Sequence, residues 1–166
     1  MPTKSTRTRP RSPEARRRIR VQRVTRARGV PGERRLRAWA RAVCPPNAEV
    51  TLRVVGEREA QRLNWMYRRR AAATNVLSFA YAQAPALRGD IVLCHAVVLR
   101  EARAQGKTTA AHYAHLVIHG LLHLRGYDHA RRAAAARMEA RERRILRGLG
   151  FADPYVLPTK TRRKAR

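Results

Sequence analysis

The 166-residue sequence predicts a single α/β (α+β) domain, and three observations support this prediction. The length suits one hydrophobic core with short tails. Up to residue 94, strand-like runs with apolar residues at every second position alternate with helical runs. Beyond residue 94 the pattern is helical. We place the domain at residues 15–157, between flexible basic tails at 1–14 and 158–166.

The first half predicts two strand–helix units. The alternating runs 18–22 and 49–54 are typical of half-exposed strands, and a helical pattern follows each of them. The apolar face of the first helix is formed by Leu36, Trp39, Ala40 and Val43, and that of the second by Ala60, Leu63, Asn64 and Tyr67.

The runs 75–81 and 90–94 are rich in β-forming residues. The loop that joins them is too short for a crossover helix, so the two strands should pair antiparallel. The remaining helices are predicted at 97–104, 108–124 and 130–149. Gly106, Gly126 and Gly150 stand at the ends of these helices, where the lack of a Cβ favours termination.

The chain is strongly basic, with 38 Lys and Arg against 11 Asp and Glu and a formal net charge of +27. This charge favours a polyanionic partner, above all nucleic acid. No apolar run approaches the ~18 residues of a membrane span, so we expect no membrane partner. The amino terminus lacks the apolar stretch of a secretory signal, and Cys44 and Cys94 form no CxxC motif. We therefore expect a cytoplasmic protein, with an organellar transit peptide as the alternative reading of the amino terminus.

Residues 119–129, HGLLHLRGYDH, carry the most informative spacing. Four residues advance a helix by about one turn, so His119 and His123 project from one face. Gly126 permits the chain to turn back, which would bring His129 to the same ion. Three histidine ligands leave a fourth position open for water, the arrangement of a catalytic zinc site.

His115 and His112 are competing ligands on the same helix. Neither lies beyond the glycine turn, so we interpret them as groups beside the ligands or facing the substrate, with helix packing as the alternative. In zinc peptidases a glutamate follows the first histidine as general base, whereas Gly120 stands here. A phosphodiester is therefore the natural electrophile for this chain, and a metallopeptidase is a weaker alternative.

The segment 119–129 resembles the H-G-x-L-H-L-x-G-Y-D-H signature of the YbeY endoribonucleases. Other segments are similar to that family in the same order: Leu63-Asn64 with Tyr67-Arg68, Thr74–Phe79, Gly89–Val92, Gln105–Lys107 and Asp153–Tyr155. The resemblance covers about residues 19–155. It implies a mixed sheet of about four strands covered by about five helices, with the zinc-bearing helix in the centre.

The resemblance also implies a function: a metal-dependent, single-strand-specific endoribonuclease in 16S ribosomal RNA 3′-end maturation and ribosome quality control. The expected partners are ribosomal RNA and the small ribosomal subunit, and the expected cofactor is one zinc ion held by His119, His123 and His129. The implied catalytic residues are His119 and Arg68, whose guanidinium could brace a phosphate. Zinc-activated water or an RNA 2′-hydroxyl could be the nucleophile.

Three points stay open at this stage. A ribosome-assembly factor that binds RNA through its charge, holds zinc structurally and cuts nothing is the rival function. Asp128 could orient a ligand histidine or hydrogen-bond the turn after Gly126. Ser78 and Asp90 could contact substrate or stabilise strand edges.

Overall fold

A computed structural model describes residues 17–156, which form one four-stranded sheet and five helices around it. The predicted tails at 1–14 and 158–166, and the domain limits at 15 and 157, lie outside the described residues. The predicted fold class, one α/β domain with a mixed sheet, is confirmed. None of the helices within 17–156 has the length and hydropathy of a membrane span.

The four strands are β1 (Arg18–Arg23), β2 (Glu49–Val55), β3 (Val76–Ala82) and β4 (Arg88–Cys94). Their order in the sheet is β1-β2-β4-β3. β1 and β4 run parallel to β2, and β3 pairs antiparallel with β4, as the short loop between them predicted. β3 is therefore an edge strand, and β2 and β4 form the buried centre of the sheet.

The five helices are α1 (Glu33–Arg41), α2 (Glu57–Arg68), α3 (His95–Ala104), α4 (Thr109–Leu124) and α5 (Arg132–Gly148). α3, α4 and α5 agree with the helices predicted at 97–104, 108–124 and 130–149 to within two residues at each end, and α1 and α2 follow β1 and β2 as predicted. Gly106, Gly126 and Gly150 all have positive φ at helix ends, which only a residue without a Cβ adopts readily.

Helices cover both faces of the sheet, and alternate strand residues face each of them. Ile91 and Leu93 of β4 point to the larger core, which α1, α4 and α5 cover. Val92 points to a smaller cluster on the other face, where it meets Ala60 of α2. α4 lies at the centre of the larger core, since ten of its sixteen residues are buried.

Two glycines let α4 approach the sheet closely. A Cβ on Gly89 of β4 would lie 2.6 Å from the backbone oxygen of Phe79 and 2.8 Å from a methyl carbon of Leu124. A Cβ on Gly120 of α4 would lie 2.9 Å from a methyl carbon of Ile91. All three distances are shorter than real Cβ contacts, so the absence of a side chain at Gly89 and Gly120 lets α4 pack this close to the sheet.

The residues of the predicted face of α2 differ in burial. Tyr67 is 61% exposed, whereas Asn64 is 3% exposed. The Tyr67 ring packs edge-on against Phe79 of β3, with the ring centroids 4.8 Å apart. The helix period therefore placed Tyr67 correctly on the sheet-facing side of α2, although its ring remains largely exposed.

Candidate metal centre

The carboxyl-terminal half of α4 carries two of the predicted ligands. The Nε2 atoms of His119 and His123 lie 3.2 Å apart, and the ring centroids are 4.6 Å apart. Both residues are partly exposed, whereas Ile118, Leu121 and Leu122 between and beside them are buried. The histidines therefore occupy the outer face of a helix whose other faces are packed.

The turn after α4 returns the chain to this face. Gly126 has φ +86°, its N–H donates to the His123 carbonyl, and the Tyr127 N–H donates to the Leu122 carbonyl. The imidazole of His129 consequently lies beside the other two, with ring centroids 4.8 Å from His123 and 5.7 Å from His119. One nitrogen from each of the three rings lies within 4.8 Å of the others.

This donor set fits a single zinc ion. With Zn–N bonds of about 2.0–2.1 Å and tetrahedral angles, two ligand nitrogens lie about 3.3 Å apart, close to the 3.2 Å between His119 and His123. Burial and repulsion from His119 and His129 lower the pKa of His123, which favours the neutral imidazole that binds metal. Among residues 17–156, no further His, Cys, Asp or Glu joins this group of three.

Sequence reasoning missed Glu142 of α5, which lies directly behind the cluster. Its side chain is fully buried and accepts a hydrogen bond from His119 Nδ1 at 2.7 Å and one from His115 Nε2 at 3.3 Å. The Tyr155 hydroxyl also donates to it. Burial alone would raise the pKa of Glu142, but these three hydrogen bonds outweigh it and lower the pKa to about 2.

A signal for Glu142 was present in the sequence. Met138, Glu142 and Leu146 are four residues apart, and all three are at most 1% exposed. An acidic residue in the apolar stripe of an amphipathic helix requires a buried partner. The surrounding run, Arg-Met-Glu-Ala-Arg-Glu-Arg-Arg, hides this stripe because it resembles a solvated charged helix.

The two competing histidines have different surroundings. His115 lies against the site, since it shares Glu142 with His119 and its ring centroid is 6.1 Å from that of His119. His112 is only 3% exposed, and its Nε2 bonds to Glu101 of α3 at 2.7 Å. Neither belongs to the group of three around His129.

Gly120 has a structural reason to be glycine. Besides Ile91, a Cβ at this position would meet the Ser78 hydroxyl of β3 at 3.0 Å. The glutamate that serves as general base in zinc peptidases would have to point into the sheet here. Ser78 thus packs under α4, on the sheet side of the helix.

The structure shows which groups the acidic residues Asp128 and Asp90 contact. Asp128 accepts hydrogen bonds from the backbone N–H groups of His129 and Ala130, at 2.7 and 3.1 Å, so it stabilises the turn that presents His129. These bonds lower the pKa of Asp128. Asp90 accepts a hydrogen bond from the Tyr81 hydroxyl at 2.7 Å, on the sheet face that α2 covers.

Arg68 is not brought into contact with the histidines. It is the last residue of α2, which packs on the face of the sheet opposite α4. Its side chain is exposed and makes no hydrogen bond or ion pair with any residue between 17 and 156. The catalytic role expected for Arg68 therefore stays a prediction.

Comparison with known proteins identifies the family. Residues 33–150 match the family model described as Endoribonuclease YbeY. The chain belongs to this family. Curated YbeY endoribonucleases from Azoarcus sp. (strain BH72), Verminephrobacter eiseniae and Nitrosomonas europaea are 53%, 50% and 47% identical over 134, 121 and 137 residues. These matches cover 76%, 73% and 82% of this chain, in the same order. They cover 79% and 84% of the Verminephrobacter and Nitrosomonas proteins, but only 53% of the Azoarcus protein, which is longer than this chain.

The YbeY assignment confirms the resemblance and the predicted reaction class, a nuclease that hydrolyses RNA phosphodiester bonds. The fold has a relative among solved structures. The solution structure of TM1509 from Thermotoga maritima superposes with a TM-score of 0.56 at 23% identity, covering 83% of this chain and 99% of that protein. At this identity the likeness concerns the fold alone.

Proposed function

We propose that this chain is a zinc-dependent, single-strand-specific endoribonuclease of the cytoplasm, acting in 16S ribosomal RNA 3′-end maturation and ribosome quality control. The proposed metal site rests on one observation: one imidazole nitrogen from each of three histidines lies within 4.8 Å of the others. Membership of the YbeY family supports the choice of RNA as substrate.

His119, His123 and His129 would hold the ion. When bound, zinc supplies a Lewis acid for a phosphate oxygen and lowers the pKa of water to about 7. The chain itself keeps the site accessible: His129 is exposed, and the other two rings are partly exposed. The carboxylate of Asp128 holds the turn in the conformation that presents His129.

Charge supports an RNA partner, including ribosomal RNA within the small subunit. An excess of 27 positive charges attracts the phosphate backbone whatever its sequence, and such binding weakens steeply as salt rises. Arg68 fits a phosphate contact because its guanidinium is exposed and has no acidic partner between residues 17 and 156. We propose it as the catalytic residue that braces the scissile phosphate.

The decisive experiment compares RNA cleavage and zinc content in His119→Ala and His112→Gln. We expect His119→Ala to lose zinc and to cleave single-stranded RNA at least about 100-fold more slowly, because losing a ligand should exceed the 10–100-fold effect of losing a ligand's support. His112→Gln is the matched control from the same helix and should retain both properties. Cleavage that persists in a folded His119→Ala would refute the proposed mechanism. A zinc-loaded wild type that cuts no single-stranded RNA would support the non-catalytic assembly factor instead.

A second experiment tests Arg68 through Arg68→Ala and, as control, Arg62→Ala, a change at another exposed arginine of α2. We expect Arg68→Ala to lower kcat about 100-fold without changing zinc affinity, as removal of a transition-state donor does. Arg62→Ala should change kcat little. If both variants raise KM equally and leave kcat unchanged, Arg68 only attracts RNA and the catalytic assignment is wrong.

A further inference from the structure

Glu142 is a buried acidic residue to which the proposed function assigns no task. Its side chain is 0% exposed, at the contact of α5 with α4. Burying a carboxylate without partners is strongly unfavourable, so the groups that surround it must compensate. These groups all belong to the neighbourhood of the histidine cluster.

Each oxygen of Glu142 has its own partners. Oε1 accepts from His119 Nδ1 at 2.7 Å. Oε2 accepts from His115 Nε2 at 3.3 Å and from the Tyr155 hydroxyl. His115, His119 and Glu142 also bring one possible ligand atom each within 4.8 Å of one another. The 2.7 Å between Glu142 and His119 is, however, shorter than the about 3.3 Å between two ligand atoms of one tetrahedral zinc ion, and it has the length of a hydrogen bond.

Asp153 and Arg143 hold Tyr155 in place. Asp153 accepts a hydrogen bond from the backbone N–H of Tyr155 at 2.9 Å, and it forms an ion pair with Arg143 at 3.0 Å. The Arg143 guanidinium also lies 4.7 Å from the centre of the Tyr155 ring. Glu142 is therefore supported from α4 on one side and from the residues after α5 on the other.

From this arrangement we infer that Glu142 is a positioning residue: it accepts a hydrogen bond from the Nδ1–H of His119 and so fixes the tautomer whose Nε2 lone pair faces the metal. This inference rests on the proposed metal site. A neutral imidazole carries one ring proton, and a carboxylate offers only acceptors. With the proton at Nδ1, the lone pair is on Nε2, the atom that lies 3.2 Å from Nε2 of His123. Such a carboxylate also makes the ligand nitrogen more basic.

The test uses Glu142→Gln and, as matched control, Glu101→Gln. Both glutamates accept a hydrogen bond of 2.7 Å from a histidine of α4, but only Glu142 contacts a proposed ligand. Zinc affinity is measured by competition with a chromophoric chelator, and the His119 tautomer is read from nitrogen chemical shifts in the zinc-free protein. We expect Glu142→Gln to bind zinc about 10–100-fold more weakly and to populate both His119 tautomers. Glu101→Gln should match the wild type in both measurements.

Tyr155→Phe provides a second variant should Glu142→Gln fail to fold, because Tyr155 is 40% exposed and loses only its hydroxyl. We expect it to weaken zinc binding by a smaller factor in the same direction. Unchanged zinc affinity and an unchanged His119 tautomer in the folded variants would overturn the inference, as would equal losses in Glu142→Gln and Glu101→Gln. Neither readout uses RNA, so a wild type that binds zinc without cutting RNA would refute the proposed function and leave this inference standing.

Discussion

Two glutamates contact histidines of α4 at the same distance, but the two pairs have different surroundings. Glu101 of α3 and Glu142 of α5 both accept at 2.7 Å, from His112 and His119 respectively. Glu101 is one-third exposed and its other partner is Asn75, the residue before β3. Its pair therefore ties α3 and α4 to the sheet, whereas the fully buried Glu142 connects the histidine cluster to Tyr155.

The two pairs differ in which ring nitrogen contacts the carboxylate, and this decides whether the other nitrogen is available to bind a metal ion. Glu101 occupies Nε2 of His112, and the remaining Nδ1 is buried without a hydrogen-bond partner among the described residues. Glu142 occupies Nδ1 of His119, and the remaining Nε2 faces His123 on the partly exposed side of the helix. Only the second ring has a nitrogen available for an ion.

Replacing each glutamate by alanine should separate the pairs by stability. In zinc-free protein, we expect Glu142→Ala to lower the free energy of unfolding by about 3 kcal/mol, because it leaves three polar groups without their shared buried partner. Glu101→Ala should lower it by about 1 kcal/mol, since water can reach that side chain and replace the carboxylate. Urea unfolding followed by circular dichroism measures both values.

The chelator used to remove zinc must be present throughout, so that metal binding does not contribute to the difference. A larger loss for Glu101→Ala than for Glu142→Ala would contradict the comparison. It would mean that the contact between α3 and the start of β3 contributes more to stability than the buried contact between α4 and α5.

The sequence predicted the parts of this molecule that depend on periodicity and on chain reversal. His119 and His123 follow from the helix period, and Gly126 indicated the turn that brings His129 back. Glu142 was missed because it comes from another helix, and the charged residues around it hide the stripe Met138, Glu142 and Leu146 that marks the buried face of α5. The sequence also could not predict where Arg68 lies. Its segment resembles the family, but the resemblance does not say on which face of the sheet α2 packs.

Lowering the pH should further distinguish the two pairs, because the titration of His112 changes the stability of the protein. Burial lowers the pKa of His112, the hydrogen bond and charge of Glu101 raise it, and repulsion from His115 and Lys107 lowers it further; the net shift is downward. Protonation would also place a donor on the buried Nδ1, which lacks a partner within residues 17–156. In the unfolded chain a histidine titrates near pH 6.5, so below that pH the unfolded state binds more protons than the folded state.

The stability contributed by neutral His112 is therefore complete above about pH 6.5 and is lost as the pH falls through the lower folded-state pKa. We expect the free energy of unfolding of zinc-free wild type to fall more between pH 7 and pH 5 than that of His112→Gln, which cannot gain this proton. The difference between the two proteins isolates His112, because the buried His95, whose pKa is also lowered by burial, is common to both. Parallel pH profiles for the two proteins would contradict this prediction, because they would show that folding leaves the pKa of His112 unchanged. A smaller fall for the wild type than for His112→Gln would show that the Glu101 pair holds a charged imidazole.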